Sequence, residues 1–237
     1  MRKILFAFAL LTLAFNVSAQ KKNMPNLGNR AADHVMIQLA TDHWTGAPDS
    51  IDSHMKGLSR GANIYLMLDK PFKGNPKLSV GIGLGVSTSN MFFKRMEVDI
   101  TSTSQTLPFV NLDTAFHFKK YKLATTYLEI PLEFRFMSKP ADPNHAVKIA
   151  LGVKLGTMLK AQTKGKELRN GSGNTVNNFI EKQSSKTFFN STRLSGTLRA
   201  GYGIFGLFGS YSFTNLFKDG VAPEINPLQV GITISGL

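Results

Sequence analysis

The sequence predicts an all-β fold, an eight-stranded antiparallel up-and-down transmembrane β-barrel. Three observations predict it: apolar residues alternate with small or polar ones at a period of two in eight segments, the links between segments alternate long and short, and one face of each segment is built from Gly, Ser, Ala and Thr.

The alternation is sharpest in three segments. Leu78, Val80, Ile82, Leu84 and Val86 oppose Ser79, Gly81, Gly83, Gly85 and Ser87. Val147, Ile149, Leu151, Val153 and Leu155 oppose Lys148, Ala150, Gly152, Lys154 and Gly156, and Leu228, Val230, Ile232 and Ile234 oppose Gln229, Gly231, Thr233 and Ser235. Five further segments follow the rule: around Val35–Ala40, Ala62–Asp69, Leu128–Phe136, Arg193–Ala200 and Phe205–Thr214. Glycine-rich faces turned to water would make poor strands, because glycine packs nothing and costs entropy. Turned inward, they suit the narrow interior of an eight-stranded barrel, and the apolar faces form a lipid-facing band. Hydrocarbon cannot satisfy an open sheet edge, so the sheet must close.

The links are long at Thr45–Gly57, Met91–Tyr121, Ala161–Thr187 and Asn215–Asn226, and short at Lys70–Lys77, Lys139–His145 and Tyr202-Gly203. With an even strand count, both ends of the barrel chain lie at the short-turn, periplasmic side. Trp44, Phe72, Phe92, Phe93, Phe136, Phe188, Phe189 and Phe217 stand near strand ends, where aromatic girdles are expected, with loop anchoring as the alternative for some of them.

Residues 1–19 have the form of a secretory signal peptide: Arg2 and Lys3, an apolar run from Ile4 to Phe15 and small residues up to Ala19. A twelve-residue run, apolar apart from Thr12, is too short to span a bilayer as a helix, and no later run reaches the roughly 20 required. Residues 20–33 are then a periplasmic N-terminal segment, and 34–237 the barrel. The expected localisation is the outer membrane. Cysteine is absent, which removes disulfides, thiolate catalysis, thiolate metal sites and a lipidated cysteine. The formal charge is +13, or +11 without Arg2 and Lys3. Export argues against nucleic acid as the partner of this charge and toward the phosphates of lipopolysaccharide.

Two groups of residues carry the candidate sites. Asp69, Glu129, Glu133, Arg135, Lys148, Lys154, Arg193 and Arg199 all fall on inward faces, and buried charges persist only when paired. They are expected to form an ion-pair network that plugs the lumen; a narrow ion path is the alternative. Lys94, Arg95, Lys119, Lys120, Lys164, Lys166, Arg169, Lys182 and Lys186 make the long links basic, with Phe92, Phe93, Phe109, Phe116 and Phe118 interleaved. Such a rim suits outer-membrane lipid, lipopolysaccharide or an envelope protein. The alternation of Phe116 and Phe118 with His117 and Lys119 predicts that the sheet continues beyond the membrane, whereas Gly171-Ser172-Gly173-Asn174 predicts a mobile third link.

Pro131 sits in mid-strand beside Glu129 and Glu133, where a missing N–H normally marks an edge or bulge. The run Tyr127-Leu128-Glu129-Ile130-Pro131-Leu132, together with the glycine-alternating strand and the closing Asn226-Pro227-Leu228-Gln229-Val230-Gly231, resembles the Bacteroidetes-type outer-membrane β-barrel family that includes PorT-like proteins. The resemblance implies a barrel from about Val35 onward and permits an accessory role in protein secretion.

Catalysis and cofactors find little footing. His34, His43, His54, His117 and His145 are scattered without metal-site spacing and read as polar surface residues. Ser89, His117 and His145 offer no recognisable triad, and His145 falls at the periplasmic end, so a lipid-modifying enzyme is the competing class. Gly81-Ile82-Gly83-Leu84-Gly85 lacks the third glycine and following helix of a dinucleotide site. A monomer without cofactor or metal is expected.

Overall fold

A computed structural model describes residues 35–235. The expected signal peptide, periplasmic segment and His34 lie outside the described residues. In chain order the elements are β1 (Val35–Thr45), a one-turn helix α1 (Asp49–Asp52), β2 (Ser59–Phe72), β3 (Asn75–Phe93), β4 (Met96–Val98), β5 (Phe109–Asn111), β6 (His117–Met137), β7 (Val147–Arg169), β8 (Thr175–Ser184), β9 (Thr192–Tyr202), β10 (Phe205–Ser212) and β11 (Asn226–Ser235). Among the described residues, β1, β2, β3, β6, β7, β9, β10 and β11 each pair antiparallel with the next, and β11 returns to β1. The barrel is closed, as the alternation requires.

The facing also follows the alternation. Leu66, Leu68, Ile82, Leu132, Leu151 and Ile232 are about half exposed or more on the outside, while Asn63, Tyr65, Glu129, Lys154, Arg193 and Thr233 are buried inside. Leu128 to Phe136 covers about 27 Å of strand and, at a tilt of about 40°, about 21 Å of bilayer normal, close to the roughly 25 Å apolar band of such barrels. Above this belt the outward positions turn to threonine, with Thr88 paired to Thr126 and Thr157 to Thr192. The glycine-inward rule has two exceptions: Gly196 and Gly209 share the outward face of Leu198 and Tyr211.

The glycines of β3 make room for large side chains. A Cβ on Gly81 would stand 2.5 Å from Nε of Arg135, and Cβ atoms on Gly83 and Gly85 would collide with Met67 and Tyr65. Pro131 makes no bulge. Its register with β3 is the same on either side, and the ladder is simply interrupted opposite Gly83 and Leu84. The bulge falls instead on β7, where Leu159 is extra against Thr126 and Tyr127. Leu159 and Lys160 are consecutively exposed, so the inward parity of β7 changes there.

The short-turn end is tight. Lys73-Gly74 joins β2 to β3, and Gly203-Ile204 joins β9 to β10, with Gly203 at φ +60° where a side chain would be strained. At the other end β6 and β7 continue past the barrel as paired strands. The link from Ala161 to Thr187 is therefore no mobile loop: most of it is the upper part of β7 hydrogen-bonded to β8, closed by a turn with Gly173 at φ +88°.

Candidate functional site

Two assemblies meet at the long-link mouth of the barrel, a charged one in the lumen and an apolar one above it. In the lumen, Glu129 of β6 accepts hydrogen bonds from Tyr65 Oη of β2 at 2.5 Å and from Arg193 Nε of β9 at 3.2 Å, with Lys154 Nζ of β7 at 3.6 Å. Neither β2 nor β9 adjoins β6 in the sheet, so these side chains cross the interior. The Arg193 guanidinium lies 3.9 Å from the Tyr127 ring centroid and reaches Ser87 on β3 at 3.1 Å.

Four residues toward the short turns, Glu133 accepts from Arg135 Nε at 2.9 Å and from Arg199 at 2.8 Å. Asp69 accepts from Ser79 at 2.7 Å and stands 3.6 Å from Arg135. Toward the mouth an uncharged relay of Gln38, Asn63, Ser87 and Gln229 ends on Asp42, which Gln229 holds at 2.7 Å. Of the eight residues expected in the lumen network, seven are joined by these contacts. Lys148 lies on the inward face at the short-turn end, half-buried. The sequence does not single out Asp42 and the amide relay, although Gln38 and Asp42 share the parity of Met36 and Ala40, and Asn63, Ser87 and Gln229 share the polar parity of β2, β3 and β11.

Above the lumen all four long links fold together. Trp44, Ile51, Phe93, Met96, Val98, Ile100, Leu107, Phe188, Phe189, Leu216, Phe217 and Ile225 are buried in one apolar core with Tyr121 and Leu123 of β6. Trp44 packs edge-on to Phe93 at 5.6 Å and to Phe217 at 5.9 Å, and Phe217 meets Phe189 at 5.2 Å. Asn190 Nδ2 donates to the carbonyls of Asn215 and Phe217 at 2.8 and 2.7 Å, and Leu107 N to the Val221 carbonyl at 2.7 Å, so neighbouring links are cross-tied. Trp44, Phe93, Phe188, Phe189 and Phe217 are thus core residues of this cap, not girdle residues. A girdle cannot be told from a cap core by nearness to a strand end, because both sit there. Phe72 and Phe136 do face outward, and Phe92 is half-buried.

A cavity of about 250 Å³ opens in the cap wall, lined by Glu97, Asp99, Tyr121, Glu181 and Gln183 among others. Burial, with Glu181 and Asp99 nearby, pushes the Glu97 carboxyl above its ordinary range. Among the described residues no group of histidines and carboxylates is arranged to hold a metal ion.

The basic residues divide. Lys119 and Arg169 both bond Glu167, at 3.0 and 2.8 Å, and with Thr175 hold its carboxyl down to about 2. Arg95, at φ +53°, donates to the Asp113 carbonyl at 3.3 Å. Lys94 is an exposed residue of the second link, its backbone N–H bonded to the His54 carbonyl at 2.7 Å, and Lys186 caps a turn before Phe189. Lys120, Lys164, Lys166 and Lys182 stand on one outward face, with Lys120 opposite Lys166 and Lys164 opposite Lys182. Lys122, opposite Lys164, and Lys160 join them and went unnoticed in the sequence. Continuing the parity of Leu128 upward finds Lys122; the bulge at Leu159 hides the facing of Lys160.

The histidines lie apart. His117 is buried, a correction to its reading as a surface residue, whereas His43 and His145 are exposed and His54 is half-buried against Asp113 at 3.3 Å. Ser89 pairs with Thr125, eight residues from His117 along β6, about 26 Å of strand. His145 bonds Asp142 at the opposite end of the barrel.

The sequence model of one protein family, described as an outer membrane protein beta-barrel domain, matches residues 12–218. No curated protein matches the chain.

Proposed function

The chain belongs to the outer membrane protein β-barrel domain family, and from that premise we propose a non-enzymatic protein with a plugged lumen, whose ordered external cap binds surface ligands or envelope partners. It sits in the outer membrane; export through a signal peptide cleaved after Ala19 is part of the proposal. The observation that carries the plug is the bonding of Glu129 by residues from strands that are not its neighbours. Ions crossing the lumen would have to part Tyr65, Lys154 and Arg193 from that carboxylate, and a buried charge left alone is costly.

The separation of Ser89, His117 and His145 supports the non-enzymatic reading. Closure of the sheet leaves no strand edge within the bilayer, which supports a monomer. The likeness of Tyr127–Leu132 and Asn226–Gly231 to PorT-like barrels supports an accessory role in protein secretion, with the cap as the docking face. Planar-bilayer recording tests the plug: purified protein inserts without conductance steps, and Arg193→Ala with Lys154→Ala admits a small, noisy current. Regular steps from the unaltered protein overturn the reading.

A further inference from the structure

On the outward face of β6, positions 128 to 136 are apolar, and above Thr126 and Ala124 come Lys122 and Lys120. On the outward face of β7, Leu159 stands just above Thr157 and is followed by Lys160, Gln162, Lys164 and Lys166, and β8 adds Lys182. Carboxylates are absent from the outward positions of β6 from Lys120 to Phe136 and of β7 from Val147 to Lys166. Glu181 and Gln183 of β8 turn the other way, into the cap cavity.

The register sets like charges side by side: Lys120 opposite Lys166, Lys122 opposite Lys164, and Lys164 opposite Lys182. Like charges directly opposite on a sheet destabilise it. Lys122 has a 2.6 Å bond to Asn90 and lies 5.6 Å from the Phe92 ring centroid, yet burial and the adjacent Lys164 still hold its ammonium below the ordinary lysine range. A stack of facing ammonium groups with nothing acidic on the same face lacks the counter-charge that would offset its repulsion.

We propose that Lys120, Lys122, Lys160, Lys164, Lys166 and Lys182 form a binding stripe for the phosphate-bearing headgroups of outer-leaflet glycolipid. Height selects a lipid over a soluble acidic partner. The stripe starts on β7 with Lys160, directly after Leu159, and on β6 with Lys122, the third outward residue above Leu128, so a molecule whose acyl chains lie against Leu128, Leu155 and Leu159 carries its headgroup to the level of these lysines. Bridging phosphates supply the missing counter-charge, and lysine serves them as a strongly hydrated point charge. The inference rests on the external placement of the cap in the proposed function, and is independent of whether the lumen conducts.

Native mass spectrometry of the full chain in detergent tests it, using bisphosphorylated lipid A, the same lipid dephosphorylated, and inorganic phosphate as probes. The triple variant Lys164→Gln, Lys166→Gln, Lys182→Gln is compared with Lys73→Gln at the short-turn end, and heat-modifiable migration verifies that each barrel is folded. The unaltered chain and Lys73→Gln retain bisphosphorylated lipid A, while the triple variant binds it about 100-fold more weakly, at about fivefold per lysine. The dephosphorylated lipid binds all three proteins at the weak level. Equal retention by the unaltered chain and triple variant overturns the proposal, as does equal retention of both lipids. Inorganic phosphate binding as tightly as the lipid overturns it in favour of a free-phosphate site, and tight capture of an acidic envelope protein through these lysines, without lipid retention, overturns it in favour of a protein partner.

Discussion

The lumen and the cap are built on the same strands and are inside out with respect to each other. Within the bilayer, β6 buries Glu129, Glu133 and Arg135 and exposes Ile130, Leu132 and Phe134; beyond it, the same strand buries Tyr121 and Leu123 and exposes Lys120. The solvent explains the reversal. In lipid, apolar side chains gain nothing by turning inward and charged ones must, whereas in water burying apolar area is the main driving term. From Lys120 to Phe136 the parity along β6 does not change; the residues assigned to each parity do.

Breaking the lumen gives the largest expected effect. Glu129→Ala strands Arg193 and Lys154 in the interior and costs about 4 kcal/mol. It is read as a lower temperature for the heat-modifiability transition, and an unchanged transition would show the pairing to be dispensable. Phe217→Ala removes a ring that touches Trp44, Phe109 and Phe189, at about 3 kcal/mol. That loss is confined to the cap: limited proteolysis cuts the long links, while the barrel band on the gel stays folded.

Leu151→Arg places a charge on the lipid side near the middle of the belt, at about 2 kcal/mol. Lys166→Leu makes the opposite exchange above the belt and leaves the transition within experimental scatter. The smallest effect is a pH response of the β7–β8 hairpin. Because Glu167 is held down to about 2 from a usual value near 4.5, its contribution is fully present above pH 4.5 and is lost as pH falls through about 2. Hydrogen exchange of hairpin amides is thus expected to match at pH 7 and 5 after correction for intrinsic rate, and to accelerate near pH 2.

Most of the barrel was legible because one period carries it: Leu78 to Val86 and Val147 to Leu155 declare strand, facing and lipid contact at once. That the inward charges pair was also legible; which acid meets which base was not, since it depends on strands brought together only by closure, such as β9 with β6. The cap was read wrongly for a physical reason. Trp44, Phe93 and Phe217 stand far apart in sequence, and nothing local distinguishes a ring bound for lipid headgroups from one bound for another ring. One inserted residue, Leu159, broke the parity on which the facing of Lys164 and Lys166 depends, and outward Gly196 and Gly209 broke the rule that glycine looks inward.

The chain contains one tryptophan. Trp44 is the penultimate residue of β1, its ring wedged between Phe93 and Phe217, and Phe217 belongs to the link that leads into β11, the strand zipped to β1. Burial of the indole and closure of the first strand on the last are thus coupled in the finished barrel. Its emission is a built-in clock for the final step of assembly: during refolding into detergent, the blue shift should lag the gain of β-sheet ellipticity, and it should vanish in a chain truncated before Asn226.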